Sequence, residues 1–326
     1  MAAVTISPAM ALAARVLRAA ALAALVVSAP AAADEAFVTN QESEDVSVVD
    51  LAAGQVVATI PIGGRPAGIA VSRDGARAYV TSPEGKYLTV LDTAARTVVR
   101  RIALDGGPLG VAVHPDGAPV YVADWYGARL WVVDPDAGAV TATVPVGASP
   151  SGVAVTPDGR LILTADRDAD QVSIIDAASL AVVGVVKVGT RPFGVTIDAD
   201  RRRAYTANVG SNDVTVIDIA ARRAVGTVPV GERPYAVALS AGRGFATDQY
   251  AETVTAFDLA TLKPLGAIGV GEYPEGIETA SDGRIVVANW FSNALSVIDP
   301  ETLAVVAEVR VGDGPRAFGT FLRRSR

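Results

Sequence analysis

The sequence predicts an all-β fold, a seven-bladed β-propeller, because three landmarks recur seven times with the same spacing. The steps between successive copies are 42, 42, 42, 42, 40 and 41 residues. A proline follows a glycine-containing turn at Pro66, Pro108, Pro150, Pro192, Pro234, Pro274 and Pro315. A polar residue recurs at Asn40, Ser82, Asp124, Asp166, Asn208, Asp248 and Asn289, and an aspartate at Asp50, Asp92, Asp134, Asp176, Asp218, Asp258 and Asp299. A period near forty residues is typical of propeller blades.

The repeat between Pro192 and Pro234 indicates what each blade contains. Alternating apolar residues occur at 195–197, 204–207, 214–217 and 225–230, and polar or glycine-containing turns close each run. Such runs are typical of short, half-buried strands, so each repeat is predicted to be a four-stranded antiparallel meander. One sheet of this size is too small to bury its two apolar faces alone, so it requires neighbouring blades.

The two ends of the repeat region are predicted to share one blade. The first copy begins at Ala36 with its second strand, and the last copy ends with a first strand at 315–322. Each end lacks the strand that the other end has. Pairing of 315–322 with the sheet of 36–62 would close the ring and remove an open sheet edge. We therefore expect residues 34–326 to form a single domain.

Residues 1–33 precede the repeats and have the features of a secretory signal peptide. Arg15 and Arg18 lie before an apolar run, 19–29, that is too short to span a bilayer, and alanines at 31–33 precede Asp34. A retained membrane anchor is the alternative. The leader holds two of the 28 basic residues, so cleavage leaves 26 against 35 acidic ones, a net charge of −9. We expect a secreted or periplasmic monomer without a transmembrane anchor.

Composition excludes several kinds of site. The chain has no cysteine, so it forms no disulfide, thiolate metal site or covalent haem attachment. Its one histidine, His114, excludes a multi-histidine copper, iron or zinc site. The acidic loop at 166–170 lacks both the glycine and the bidentate glutamate of a calcium-binding EF-hand loop. We predict no catalytic residue, metal ligand or cofactor.

The second and third strands of the repeats resemble those of a known family. The second strands read AFVTN at 36–40, YVTS at 79–82, YVAD at 121–124, YTAN at 205–208 and VVAN at 286–289. The third strands read VSVVD at 46–50, VSIID at 172–176, VTVID at 214–218 and LSVID at 295–299. These motifs resemble the YVTN-repeat β-propeller family of YncE-like exported proteins over residues 34–322. The resemblance implies export, a seven-bladed ring and a binding or scaffolding role.

Aromatic residues mark the face of the predicted ring on which the loops after the second strands emerge. We number the blades by their leading proline, starting at Pro66. Trp125 and Trp290 then occupy the first loop position of blades 2 and 6, nearly opposite each other. Beside these two tryptophans lie Tyr126, Tyr250 and Phe291. Stacking surfaces at the mouth of the axial channel are one interpretation, and simple coverage of neighbouring blades is the other.

Four arginines are predicted to lie on the same face. Arg65, Arg191 and Arg233 directly precede a leading proline, and Arg316 follows one. Guanidinium groups bind carboxylates and phosphates through forked hydrogen bonds. The alternative is that nearby acidic residues neutralise each arginine in exposed ion pairs, which contribute about 0–1 kcal/mol each.

The sequence therefore favours a non-enzymatic module that binds a protein partner or a small anionic ligand through one loop face. Two alternatives stay open. The first is a metal-dependent propeller enzyme of the lactonase or lyase type, and the second is a propeller that binds single-stranded DNA. The net charge of −9 argues against nucleic acid, since affinity for phosphate comes largely from basic surface.

Overall fold

The computed structural model describes residues 1–2 and 34–325, so the signal peptide predicted at 1–33 lies almost entirely outside the described residues. From Asp34 onward the described residues belong to one compact unit. Nearly all of its regular structure is short strand, with a single turn of 3-10 helix at Arg167–Ala169. No helix in the described part of the chain is long and apolar enough to cross a membrane.

The strands form seven sheets, each containing a four-stranded antiparallel blade, which confirms the predicted seven-bladed propeller. Blade 7 contains β1 (Glu35–Asn40), β2 (Asp45–Asp50) and β3 (Gln55–Pro61). Blade 1 contains β4 (Gly68–Val71), β5 (Arg77–Ser82), β6 (Tyr87–Asp92) and β7 (Thr97–Ala103). Blade 2 contains β8 (Pro108–Val113), β9 (Val120–Asp124), β10 (Arg129–Asp134) and β11 (Ala139–Pro145). Blade 3 contains β12 (Pro150–Val155), β13 (Leu161–Asp166), β14 (Gln171–Asp176) and β15 (Val182–Lys187).

The remaining strands complete the ring. Blade 4 contains β16 (Pro192–Asp198), β17 (Arg203–Asn208), β18 (Asp213–Asp218) and β19 (Arg223–Pro229). Blade 5 contains β20 (Pro234–Ser240), β21 (Arg243–Asp248), β22 (Thr253–Asp258) and β23 (Pro264–Gly269). Blade 6 contains β24 (Pro274–Thr279), β25 (Ile285–Asn289), β26 (Ala294–Asp299) and β27 (Ala304–Arg310). Two short strands, β28 (Phe318–Thr320) and β29 (Leu322–Arg323), end the described chain.

Burial differs between the strands of one blade. In blade 4 the second strand, β17, and the third, β18, are buried along almost their whole length, whereas the outer strand, β19, is mostly exposed. The alternating pattern predicts half-buried strands, but blades cover both faces of each middle strand. The middle strands therefore supply most of the apolar core between blades.

Residues 315–323, which we call the closing segment, close the ring, as the sequence predicts. Leu322 of β29 pairs with Ala36 of β1, and the Phe37 amide donates to the Phe321 carbonyl at 2.8 Å. An isolated bridge joins Pro315 to Asn40. Between these two points β28 leaves blade 7 and pairs in parallel with β4 of blade 1. The closing segment thus holds two blades instead of one.

The aspartates that end the third strands hold tight turns, as predicted from their regular recurrence. Asp134 accepts hydrogen bonds from the amides of Asp136 and Ala137, both at 2.9 Å. Asp299 accepts from the amides of Glu301 and Thr302 in the same way. Such capping of backbone donors is the usual function of Asp in turns.

The first strands surround the axis and line a cavity of about 580 Å³. Its wall is mainly apolar and includes Val113, Val155 and Leu239. Glu278 is an acidic exception, and its Oε2 accepts hydrogen bonds from the amides of Phe321 and Leu322 at 2.5 and 2.8 Å. This carboxyl therefore helps to anchor the closing segment.

Candidate ligand-binding site

The residues that follow the leading prolines meet at the axis. They are Ala67, Leu109, Ser151, Phe193, Tyr235, Glu275 and Arg316. Ala67, Leu109, Phe193 and Tyr235 form one apolar cluster with Phe318, and these five residues come from blades 1, 2, 4 and 5 and the closing segment. Only the axis brings such distant blades together.

An aromatic layer in this cluster separates two axial cavities. The ring centroids of Phe193 and Tyr235 lie 4.2 Å apart, and Phe318 lies 5.0 Å from Phe193 and 5.3 Å from Tyr235. Phe318 also lines the 580 Å³ cavity. Phe193 and Tyr235 line a second cavity of about 230 Å³, which we call the mouth cavity.

The wall of the mouth cavity comes from the loops after the second strands. Its lining residues are Trp125, Arg167, Phe193, Val209, Arg233, Tyr235, Gln249, Glu275 and Arg316. Trp125, Arg167, Val209 and Gln249 occupy the first position of four successive loops. The Trp125 amide donates to Gly107, and the Gln249 amide to Arg233, so these loops lie beside the connections between blades, as predicted.

A buried ion pair forms part of the floor. Arg316 Nε lies 2.7 Å from Glu275 Oε2, and Gln249 Nε2 donates to Glu275 Oε1 at 2.8 Å. Arg316 Nη2 donates to the Tyr235 hydroxyl. Burial raises the pKa of Glu275 and of Tyr235, and the charge of Arg316 opposes both rises. Burial acts to lower the pKa of Arg316, but the charges and hydrogen bonds of Glu275 and Tyr235 together outweigh burial and hold this pKa above its ordinary value.

Arg233 differs from Arg316 because no carboxylate within the described residues pairs with it. Its backbone is left-handed, with φ 55°, and its amide donates to Asn212 Oδ1 at 2.9 Å. The guanidinium carbon lies 4.3 Å from the centroid of the Tyr250 ring. Among the described residues, Arg233 forms no ion pair, and its buried Nε has no hydrogen-bond partner. A buried donor without an acceptor costs about 1–3 kcal/mol, so a ligand that supplies an acceptor gains that free energy.

A third guanidinium covers the aromatic wall. The Arg167 guanidinium carbon lies 5.4 Å from the Trp125 ring centroid, and its Nη1 lies 2.5 Å from Asp168 Oδ1. The half-buried Trp125 ring lies 6.0 Å from that of Phe193. One side of the cavity is therefore aromatic, and positive groups lie above and beside it.

The structure brings part of the predicted site together. Trp125, Arg233 and Arg316 line the mouth cavity, and Tyr250 lies against Arg233. Trp290 does not line the cavity.

Trp290 and Phe291 belong to a second aromatic group on the same face. Their ring centroids lie 4.5 Å apart, and Tyr273 lies 4.5 Å from Phe291 and 5.3 Å from Tyr250. Phe291 is 53% exposed and Tyr250 is 45% exposed. Trp290 therefore covers neighbouring side chains, and the two tryptophans do not face each other across the mouth cavity.

Three predicted residues lie in neither group. Arg65 pairs with Glu42 and, at 3.3 Å, with Glu84, which fits the alternative of neutralised surface arginines. Arg191 is exposed, and Tyr126 is 81% exposed.

Sequence reasoning missed the ring of residues that follow the leading prolines, apart from Arg316. Phe193, Tyr235 and Glu275 lie one position beyond Pro192, Pro234 and Pro274. The seven residues at this position share no chemical type, so no motif marks them. The repeat alignment itself is the signal, because equivalent positions in a propeller lie at equal distances from the axis.

No group of three or more His, Asp or Glu side chains within residues 1–2 and 34–325 is arranged to hold a metal ion. The charged groups of the mouth cavity are one carboxyl and three guanidiniums. This composition suits the binding of an anion.

A sequence model of the YNCE-like beta-propeller family matches residues 6–120. This match and the seven-bladed ring together support a YncE-like β-propeller. Comparison with curated proteins gave no match.

Solved structures show the same fold in proteins of several kinds. Hydrazine synthase of Kuenenia stuttgartiensis is 21% identical with a TM-score of 0.69, over 77% of this chain and 88% of that one. A functionally unknown protein from Desulfotomaculum acetoxidans is 18% identical with a TM-score of 0.75, over 87% and 99%. Dihydro-heme d1 dehydrogenase NirN, solved in complex with DHE, is 18% identical with a TM-score of 0.66, over 86% and 64%. At these identities the likeness concerns the fold alone.

Proposed function

We propose that this YncE-like propeller is an exported, non-enzymatic binding module that holds a small anionic ligand in the mouth cavity. The observation that carries the proposal is Arg233, a cation that finds no carboxylate partner, and no acceptor for its buried Nε, in the described part of the chain. An anion seated there satisfies the donor and the charge together. Charge-assisted hydrogen bonds of this kind are about twice as strong as neutral ones.

The charge balance of the mouth cavity supports an anion over a cation. Glu275 is occupied by Arg316, and Arg167 is paired with Asp168, whose side chain is 43% exposed. Arg233 is left as the excess positive charge. A cationic ligand would meet this guanidinium at close range in a partly desolvated cavity, where repulsion between like charges is strong.

Export is the second part of the proposal and is supported by the leader. Arginines, a short apolar run and small residues before Asp34 match the order of a signal peptide. The test is the N-terminal sequence of the protein recovered from outside the cytoplasm. A chain that begins near Asp34 supports export, and a chain that retains residues 1–33 contradicts cleavage.

Ligand binding is tested by isothermal titration calorimetry of the purified protein with acetate, benzoate and inorganic phosphate. We expect at least one of these anions to bind, and Arg233→Gln to raise its Kd about tenfold or more. Arg191→Gln is the matched control, because Arg191 also precedes a leading proline with a left-handed backbone, φ 56°, but lies outside the mouth cavity. Absence of binding by all three anions, or equal losses in both variants, would overturn the proposal.

A further inference from the structure

We infer that the ligand of the mouth cavity is an aromatic monocarboxylate, an inference that rests on the proposed function and narrows it. The cavity combines one free cation with an aromatic floor and an aromatic wall. The charge, the ring surfaces and the volume each limit the ligand independently.

The charge limits the ligand to one negative group. Arg233 is the uncompensated guanidinium, since Glu275 holds Arg316 through Nε at 2.7 Å. The pair of Glu275 and Arg316 in the same floor has no net charge, so one negative group on the ligand balances Arg233. A carboxylate accepts two parallel hydrogen bonds from one edge of a guanidinium. A monocarboxylate therefore fits better than a phosphate dianion.

Tyr250 holds Arg233 in the orientation that two parallel hydrogen bonds to a carboxylate require. The guanidinium carbon lies over the Tyr250 ring at 4.3 Å, so its face is covered. The donors of a guanidinium lie in its plane and point away from a stacked ring. Tyr250 is thus a positioning residue for Arg233, whose side chain lines the mouth cavity.

The ring surfaces require a flat apolar group beside the carboxylate. Phe193 and Tyr235 lie 4.2 Å apart in the floor, and Trp125 lies 6.0 Å from Phe193 in the wall. Aromatic rings pair best in offset or edge-to-face arrangements and add about 0.5–1.5 kcal/mol beyond the buried area. Val209, which is 9% exposed, adds apolar surface to the lining.

The volume fits a single ring. An apolar cavity of about 150 Å³ in another protein accommodates benzene. The mouth cavity, at about 230 Å³, has room for a benzene ring with a carboxylate and a small substituent.

The test compares benzoate with acetate, benzamide and inorganic phosphate by isothermal titration calorimetry. Acetate keeps the charge without the ring, and benzamide keeps the ring without the charge. We expect benzoate to bind about tenfold or more tightly than each of the other three. Acetate or phosphate binding as tightly as benzoate would overturn the aromatic class and leave the anion site standing. Failure of every anion would overturn the site itself.

Variants separate the ring contribution from folding effects. Trp125→Leu is expected to weaken benzoate severalfold without changing acetate. Trp290→Leu is the matched control, because Trp290 holds the same loop position in blade 6 and lies outside the cavity. Arg233→Lys keeps the charge but loses the paired hydrogen bonds, so it is expected to weaken benzoate binding, but less than Arg233→Gln, which loses both. Equal affinity of Trp125→Leu and the unsubstituted protein for benzoate would contradict the inference.

Discussion

Arg316, on the segment that closes the ring, forms a buried ion pair with Glu275 of blade 6 through an Nε to Oε2 distance of 2.7 Å. Two residues further on, Phe318 joins the aromatic layer beneath the mouth cavity. The segment that completes the fold therefore also supplies part of the candidate site. Ring closure and the proposed ligand binding therefore depend on the same residues.

Removal of one member of this ion pair is expected to be more harmful than removal of both. Arg316→Leu leaves the Glu275 carboxylate buried without its cation, and such a change costs about 3–5 kcal/mol. In the double variant Glu275→Leu with Arg316→Leu no buried charge is left uncompensated, so we expect a smaller loss. Urea unfolding of the two single variants and the double variant measures the coupling. If the double variant loses as much free energy of unfolding as the two single variants together, the two residues are not coupled.

The pair of Arg324 with Glu278, in which the arginine is exposed, provides the control for that experiment. Their charged atoms lie 3.7 Å apart, and the Arg324 side chain is 57% exposed. Because water screens such a pair, Arg324→Gln is expected to change the free energy of unfolding by less than about 1 kcal/mol.

Truncation after Gly314 is expected to open the ring. It removes Leu322, which pairs with Ala36, and the β28 strand, which pairs with β4. The exposed edge of blade 7 then unfolds independently, because repeat architectures depend on their neighbouring units. We expect broad or multiple transitions in urea where the full chain shows one. Removal of only 325–326 costs one described hydrogen bond, from the Ser325 amide to Asp34, and should preserve the single transition.

Stability is expected to fall as the pH rises from about 4 to about 8. Burial raises the pKa of Asp248 from 3.8 to about 6 and that of Glu278 from 4.5 to about 7. The folded state thus holds these protons more tightly than the unfolded state, and the stabilisation is present below the unfolded pKa and lost as the pH passes the folded one. For Asp248 the loss is on the order of 2–3 kcal/mol. Urea unfolding at pH 4.5, 6 and 8 measures it.

Asp248→Asn is the matched variant, because asparagine occupies the equivalent positions Asn40, Asn208 and Asn289. This variant should lose less stability as the pH rises, and the loss that remains should be the part due to Glu278. Turn aspartates such as Asp176 and Asp258 affect stability in a lower pH range. Backbone hydrogen bonds lower their pKa, so their contribution is lost only below about pH 4. An unchanged pH profile in Asp248→Asn would show that this carboxyl titrates normally.

The fold was predictable from sequence because the residues that begin and end the strands recur in each blade. Pro192, Asn208 and Asp218 mark the ends of strands in blade 4, and their equivalents recur around the ring. The detour of β28 into blade 1 was not predictable, because it depends on the space left at the junction of the two chain ends. No other repeat within residues 34–325 has such a junction.

The candidate site was only partly predictable because it depends on ring geometry. Trp125 and Trp290 hold equivalent loop positions, yet only Trp125 lines the mouth cavity. Trp290 packs against Phe291 at 4.5 Å, and Tyr273 lies 6.4 Å from it. Side-chain packing of this kind depends on neighbours from another part of the repeat, which spacing alone does not specify.

Close packing of the first strands gives the last prediction. A Cβ atom on Gly110 of β8 would lie 1.9 Å from the Ser151 carbonyl oxygen of the next blade, and backbone cannot move as a side chain does. We expect Gly110→Ala to destabilise the protein by about 2–3 kcal/mol through overpacking. Gly269→Ala is the control, since nothing lies within 4 Å of its added Cβ. Thermal unfolding compares the two variants, and a Tm for Gly110→Ala equal to that of Gly269→Ala would mean that the blades separate easily at the axis.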